Sequence, residues 1–141
     1  MRGIRSTPSY GVHEQRTPVH RRSLTAVGGG TVLISALLAV SLLSGPGGTV
    51  PVLVVLVLWA LGGGAWIAAG EGYRPAGFVW HQLVGIGTGF LGAGMAVFGA
   101  WSLSLGDSAL GGAQLVLAGI FAIQASNHYR GGSVTDVIDA E

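Results

Sequence analysis

The sequence predicts an all-α integral membrane protein, a four-helix bundle of two antiparallel hairpins with both termini on the inner side. Three observations predict it. Half of the residues are hydrophobic and only 9% are charged, whereas an average soluble domain is roughly 25% charged. Four stretches, 24–43, 50–69, 83–103 and 109–126, carry no charge. Each approaches the ~20 residues that cross ~30 Å of hydrocarbon at 1.5 Å per residue. Finally, small residues recur within them at helical spacing, which lets helix backbones approach closely in lipid.

Residues 1–23 are polar, are interrupted by Pro8 and Pro18, and lack an apolar period. They read as a basic arm, disordered or lying on a surface. Arg2, Arg5, Arg16, Arg21 and Arg22 outweigh Glu14. Their first reading is an orientation signal and contact with anionic lipid head groups, each arginine contributing ~1 kcal/mol near such a surface. Contact with nucleic acid is the second reading, with only Tyr10 available for stacking. Arg21-Arg22-Ser23-Leu24 also has the form of a twin-arginine export signal, but no convincing small-x-small cleavage site follows the apolar run.

In the first span, 24–43, Thr31, Ser35 and Ala39 form a small face. Ser44-Gly45-Pro46-Gly47-Gly48-Thr49 then predicts a tight, uncharged reversal. The second span, 50–69, is the richest in Val, Leu and Ile, which favour insertion. Pro51 falls in its first turn, where a missing N–H is tolerated. Gly62-Gly63-Gly64 reads as a place of close packing, with a hinge as the alternative.

Residues 70–82 make the one sizeable internal loop, with Tyr73, Phe78 and Trp80 as an interfacial belt. Glu71 and Arg74 are expected to pair at the surface, and His81 to serve as an anchor beside Trp80. The third span, 83–103, carries six glycines. In water each interior glycine would cost about 0.8–1 kcal/mol relative to alanine. Lipid offers the backbone no other hydrogen-bond partner, so the helix persists there. At about 100° per residue, Gly85, Gly89, Gly92, Ala96, Gly99 and Ala100 share one face. Leu83, Phe90, Phe98 and Trp101 share the opposite one. This span is therefore the expected hub.

Asp107 is the only charge in the turn 104–108. The fourth span, 109–126, presents Ala118, Ala122 and Ser126 as a small face and holds Gln114 and Gln124. The glutamines are expected to bond between helices. The tail 127–141 ends on Asp136, Asp139 and Glu141. Placing 1–23, 70–82 and 127–141 on one side puts all seven arginines there, which the positive-inside rule assigns to the inner side.

The sequence contains no cysteine and no lysine, so thiol chemistry and a phosphate-cradling lysine are excluded. His13, His20, His81 and His128 lack metal-ligand spacing. No ionisable residue falls in mid-span, where proton relays and ion paths place theirs. The expectation is a protein that is not an enzyme and takes no cofactor, metal or small-molecule substrate. Its partners would be the bilayer, and further copies of itself or another membrane protein. The predicted role is structural; a small holin-like pore former and an accessory subunit of a membrane complex are the alternatives.

In layout, with four spans, a basic arm at Arg2–Arg22 and compact loops, the chain resembles the small internal membrane proteins of pleomorphic viruses that infect halophilic archaea. The resemblance implies a non-enzymatic component of a viral envelope, with the arginine arm facing the genome.

Overall fold

The computed structural model describes residues 17–43 and 50–131. It is all-α: α1 (Thr17–Leu43), α2 (Val50–Glu71), α3 (Trp80–Ser104) and α4 (Ser108–Tyr129), with one 3-10 turn at Pro75–Gly77. All four helices are long and apolar enough to cross a membrane. Arg2, Arg5, Arg16, the turn 44–49 and the acidic residues of the tail lie outside the described residues.

The helices extend past the spans that hydropathy marks. α1 begins at Thr17, so residues 17–23, expected in the arm, are helical. Pro18 sits in the first turn, where its missing N–H removes no bond, and arginine is a good helix former. α3 takes in Trp80, His81 and Gln82, and α4 takes in Asn127, His128 and Tyr129. Polar side chains at a helix end lower the mean hydropathy without breaking the backbone ladder.

Local chemistry explains where the helices stop. Gly72 follows α2 at φ 74° and Gly106 follows α3 at φ 86°, a conformation glycine adopts without a Cβ clash. At the first end, Gly72 N–H donates to Ala69 O at 3.3 Å and Tyr73 N–H to Ala68 O at 2.9 Å. The second end repeats the pattern, with Gly106 N–H to Leu103 O and Asp107 N–H to Ser102 O, both 3.0 Å. Both are Schellman ends that satisfy last-turn carbonyls. Asp107 then caps the next helix, its Oδ1 accepting from Leu110 N–H at 3.0 Å. At the start of α3, Gln82 Oε1 accepts from Val79 N–H at 3.2 Å.

Extensive packing joins chain neighbours only: α1 with α2, α2 with α3, and α3 with α4. The partners run antiparallel. Thr25 meets Glu71 while Thr31 meets Gly63. Trp66 meets Val84 while Trp59 meets Gly94. Gly85 meets Tyr129 while Gly99 meets Gly111. Chain order is thus spatial order, and the helices form a row with α1 and α4 at its edges. Over an 18-residue apolar stretch of each helix, buried residues make up 44% in α3, 28% in α2, 11% in α1 and 6% in α4, which places α3 at the centre of the packing.

Each seam contains a reciprocal glycine contact. A Cβ on Gly28 would lie 2.5 Å from Gly63 O, and one on Gly63 would lie 2.7 Å from Gly28 O. Between α2 and α3, Gly62 and Gly87 oppose each other's carbonyl oxygens at 2.8 Å both ways. Between α3 and α4, Gly99 and Gly111 do so at 3.0 and 2.8 Å. A side chain at any of these positions forces two backbones apart. Gly64, next in sequence to Gly63, has nothing within 4 Å of its notional Cβ.

That contrast is testable in detergent. Gly63→Val is expected to lose about 1–3 kcal/mol of stability through overpacking, read by denaturant or thermal unfolding. Gly64→Val is expected to stay within about 0.5 kcal/mol of the parent. Equal losses at both positions would show that glycine acts there through backbone propensity and not through the seam.

Candidate functional site

The small face expected on α3 sorts into parts. Gly85 lies against the α4 backbone, its notional Cβ 2.7 Å from Tyr129 N and 2.8 Å from Ala125 O. Gly92 faces Phe121 Cβ at 2.9 Å and Ala118 O at 3.4 Å, with Ala118 itself buried. Gly89 makes only an ordinary contact, 3.7 Å from Ala125 Cβ. Ala96 is half-buried and Ala122 is exposed, so these two stand at the margin of the face.

A second α3 face was not anticipated. Gly87 seats the Trp66 indole and Gly94 seats the Trp59 indole, each with Cδ1 or Nε1 at 2.5 Å from the notional Cβ. Both pairs are seven residues apart, so two turns of α2 register on two turns of α3. The matched spacing of Trp59 with Trp66 and of Gly87 with Gly94 is visible in the sequence. Only the antiparallel pairing shows that one serves the other.

These seats differ in their hydrogen bonding. Trp66 Nε1–H donates to Val84 O at 3.3 Å, and Thr88 Oγ1–H donates to the same oxygen at 2.8 Å. Trp59 Nε1 is buried without a partner, as are Ser35 Oγ on α1 and Gln114 Oε1 on α4. The interhelical bonds expected of the glutamines are therefore not made: Gln114 packs its Cβ 3.1 Å from the notional Cβ of Gly99, and Gln124 is exposed. Trp59 borders an apolar groove of about 230 Å³, shared with Thr31, Ile34, Leu91, Met95 and Phe121. All four helices contribute to it.

The antiparallel row collects the described arginines at one end. Arg22 is near the start of α1, Arg74 is in the α2–α3 loop, and Arg130 follows α4. At the other end, Asp107 is the one charged residue among those described. The expected Glu71–Arg74 pair is not formed. Glu71 Oε1 instead accepts from Thr25 Oγ1–H at 3.0 Å, because the end of α2 lies against α1.

His81 does more than anchor the loop. Its Nδ1 lies 3.1 Å from His128 O. With the proton on Nδ1 it donates to a last-turn carbonyl of α4, which also accepts from Gly131 N–H at 3.0 Å. Trp80 meets the same imidazole edge to face, with centroids 6.0 Å apart. Gly131, at φ 78°, turns the chain next to the ring. Beside this clamp lies a cleft of about 480 Å³, lined by Gly85, Ile86, Ala125, Ser126, Tyr129 and Arg130. Among the described residues, no three His, Asp or Glu gather as a metal site.

A family model described as a family of unknown function (DUF7994) matches residues 19–141. No curated protein and no solved structure matches the chain.

The two tryptophan seats yield a paired test. Trp66→Phe removes a made hydrogen bond, worth about 0.5–1.5 kcal/mol net. Trp59→Phe removes a buried N–H that has no acceptor, so it returns desolvation free energy. The volume change is the same. Unfolding in detergent is expected to show Trp66→Phe less stable than Trp59→Phe by about 1 kcal/mol; the reverse order would mean that the Trp59 indole N–H has an acceptor.

Proposed function

The match spans most of its length, so the chain belongs to this family of unknown function, and we propose that it is a structural, non-enzymatic, multi-pass membrane protein. Its four helices cross the bilayer as two hairpins with both termini on the inner side. It associates with further copies of itself or with a partner membrane protein. The observation that carries this reading is the glycine-on-glycine contact in each of the three seams. In lipid, helix association rests on van der Waals packing between smooth surfaces and not on the hydrophobic effect. Glycine-rich helices are also stable there, since lipid does not compete for their backbone groups.

The outward surfaces agree. Leu37 and Val40 on α1 are 61% and 63% exposed, and Val116 and Ile123 on α4 are 65% exposed, as suits contact with acyl chains. The arginine end fits the inner side by the positive-inside rule. The groove at Trp59 is bordered by apolar side chains and Thr31, which favours the packing role over a holin-like pore. A viral envelope is one membrane such a protein would occupy, as the resemblance in layout implies.

The protein is expected to stay in the membrane pellet after alkaline carbonate extraction, and recovery in the supernatant would end this reading. Protease added outside sealed, right-side-out vesicles is expected to spare both termini; cleavage of the N-terminal arm would reverse the topology. Dye-loaded vesicles are expected to remain tight after reconstitution, and leakage would replace the structural role with a pore. If the setting is viral, the protein floats with purified enveloped particles and not with cell membranes.

A further inference from the structure

We propose that the cleft between the start of α3 and the end of α4 is a binding site for one anionic phospholipid, with Arg130 at its head group. The proposal rests on the reading that the helices span a bilayer.

The lining is ordered along the membrane normal. Gly85, Ile86 and Ala125 are apolar and lie inside the helical spans, whereas Ser126, Tyr129 and Arg130 follow toward the helix end. From Ala125 to Arg130 the helix rises about 7.5 Å at 1.5 Å per residue. That distance carries a ligand from acyl depth to head-group depth. An acyl chain fits the first part. A phosphate meets the Arg130 guanidinium, and the Tyr129 and Ser126 hydroxyls are donors beside it.

At Gly85 the α4 backbone closes directly on α3, a notional Cβ lying 2.7 Å from Tyr129 N and 2.8 Å from Ala125 O, so the two helices meet at the cleft. The clamp from His81 to His128 O holds the two helix ends together at this point. Among the described residues, Arg130 has no acidic partner: Glu71 is taken up by Thr25, two helices away, and Asp107 is at the other end of the row. Tyr129 and Trp80, 46% and 42% exposed, place aromatic rings at the depth where such rings sit in a bilayer.

The test uses the full chain, purified in mild detergent and mixed with equal amounts of phosphatidylglycerol and phosphatidylcholine. Retained lipid is counted by native mass spectrometry. One phosphatidylglycerol is expected to be held in preference to phosphatidylcholine. Arg130→Gln is expected to lower that retention at least about fivefold, the factor one basic side chain contributes near an anionic surface. Ser126→Leu, which narrows the mouth, is expected to lower it as well. Arg74→Gln, at the same end but outside the cleft, is expected to leave it unchanged. Equal retention of the two lipids, or equal losses from Arg74→Gln and Arg130→Gln, would overturn the site. So would retention that appears only when Asp136→Asn, Asp139→Asn and Glu141→Gln are combined, since the chain's own tail would then be the occupant. A protein that remains in the carbonate pellet yet shows no lipid preference loses this inference alone, and the membrane reading stands.

Discussion

The row depends on backbone meeting backbone. At Gly28 with Gly63, Gly62 with Gly87 and Gly99 with Gly111, a carbonyl oxygen occupies the space a Cβ would need. The missing side chain brings two helix axes together and places Cα hydrogens against carbonyl oxygens, a weak attraction repeated along the seam. Dispersion falls off steeply with distance, so close approach over many atoms matters more than any single contact. In a bilayer this would suffice, because lipid imposes no hydrophobic penalty on the faces left outside.

Directionality follows from where the glycines stand on each helix. On α2, Gly62 serves α3 and Gly63 serves α1, about 100° apart around the axis. On α3, Gly87 and Gly94 serve α2 while Gly85, Gly92 and Gly99 serve α4. The two inner helices therefore have two smooth faces each and take two neighbours. α1 and α4 use one and end the row. An arrangement that does not close leaves concave surfaces, and both the Trp59 groove and the Arg130 cleft are consequences of it.

Polar atoms mark where this packing is tight and where it is open. Val84 O accepts from Trp66 and from Thr88, so that turn of α3 is pinned to α2. One heptad along, Trp59 occupies the matching seat and its N–H finds no acceptor. Buried unpaired donors cost more than made bonds contribute, which singles out the middle of the α2–α3 seam as its least settled part. At the basic end, His81 and Gly131 complete the last turn of α4, and the helix ends there are fixed by hydrogen bonds as well as by packing.

Much of the fold was legible in the sequence. The four apolar runs, the hub character of residues 83–103 and the collection of arginines at one end needed only hydropathy, length and charge, which are properties of a single segment. Helix ends were less legible, because Arg21, Arg22, His81 and His128 lower local hydropathy while remaining helical. What only the tertiary structure decided was partnership. Gly85 and Gly92 are true close contacts and Gly89 is not; Gly87 and Gly94 are tryptophan seats; Gln114 bonds to nothing; Glu71 turns to Thr25 and not to Arg74. A segment carries its own period, but which face meets which neighbour depends on the phase and register of two helices at once. In a chain with so many glycines, several registers look equally smooth until the bulky indoles choose one.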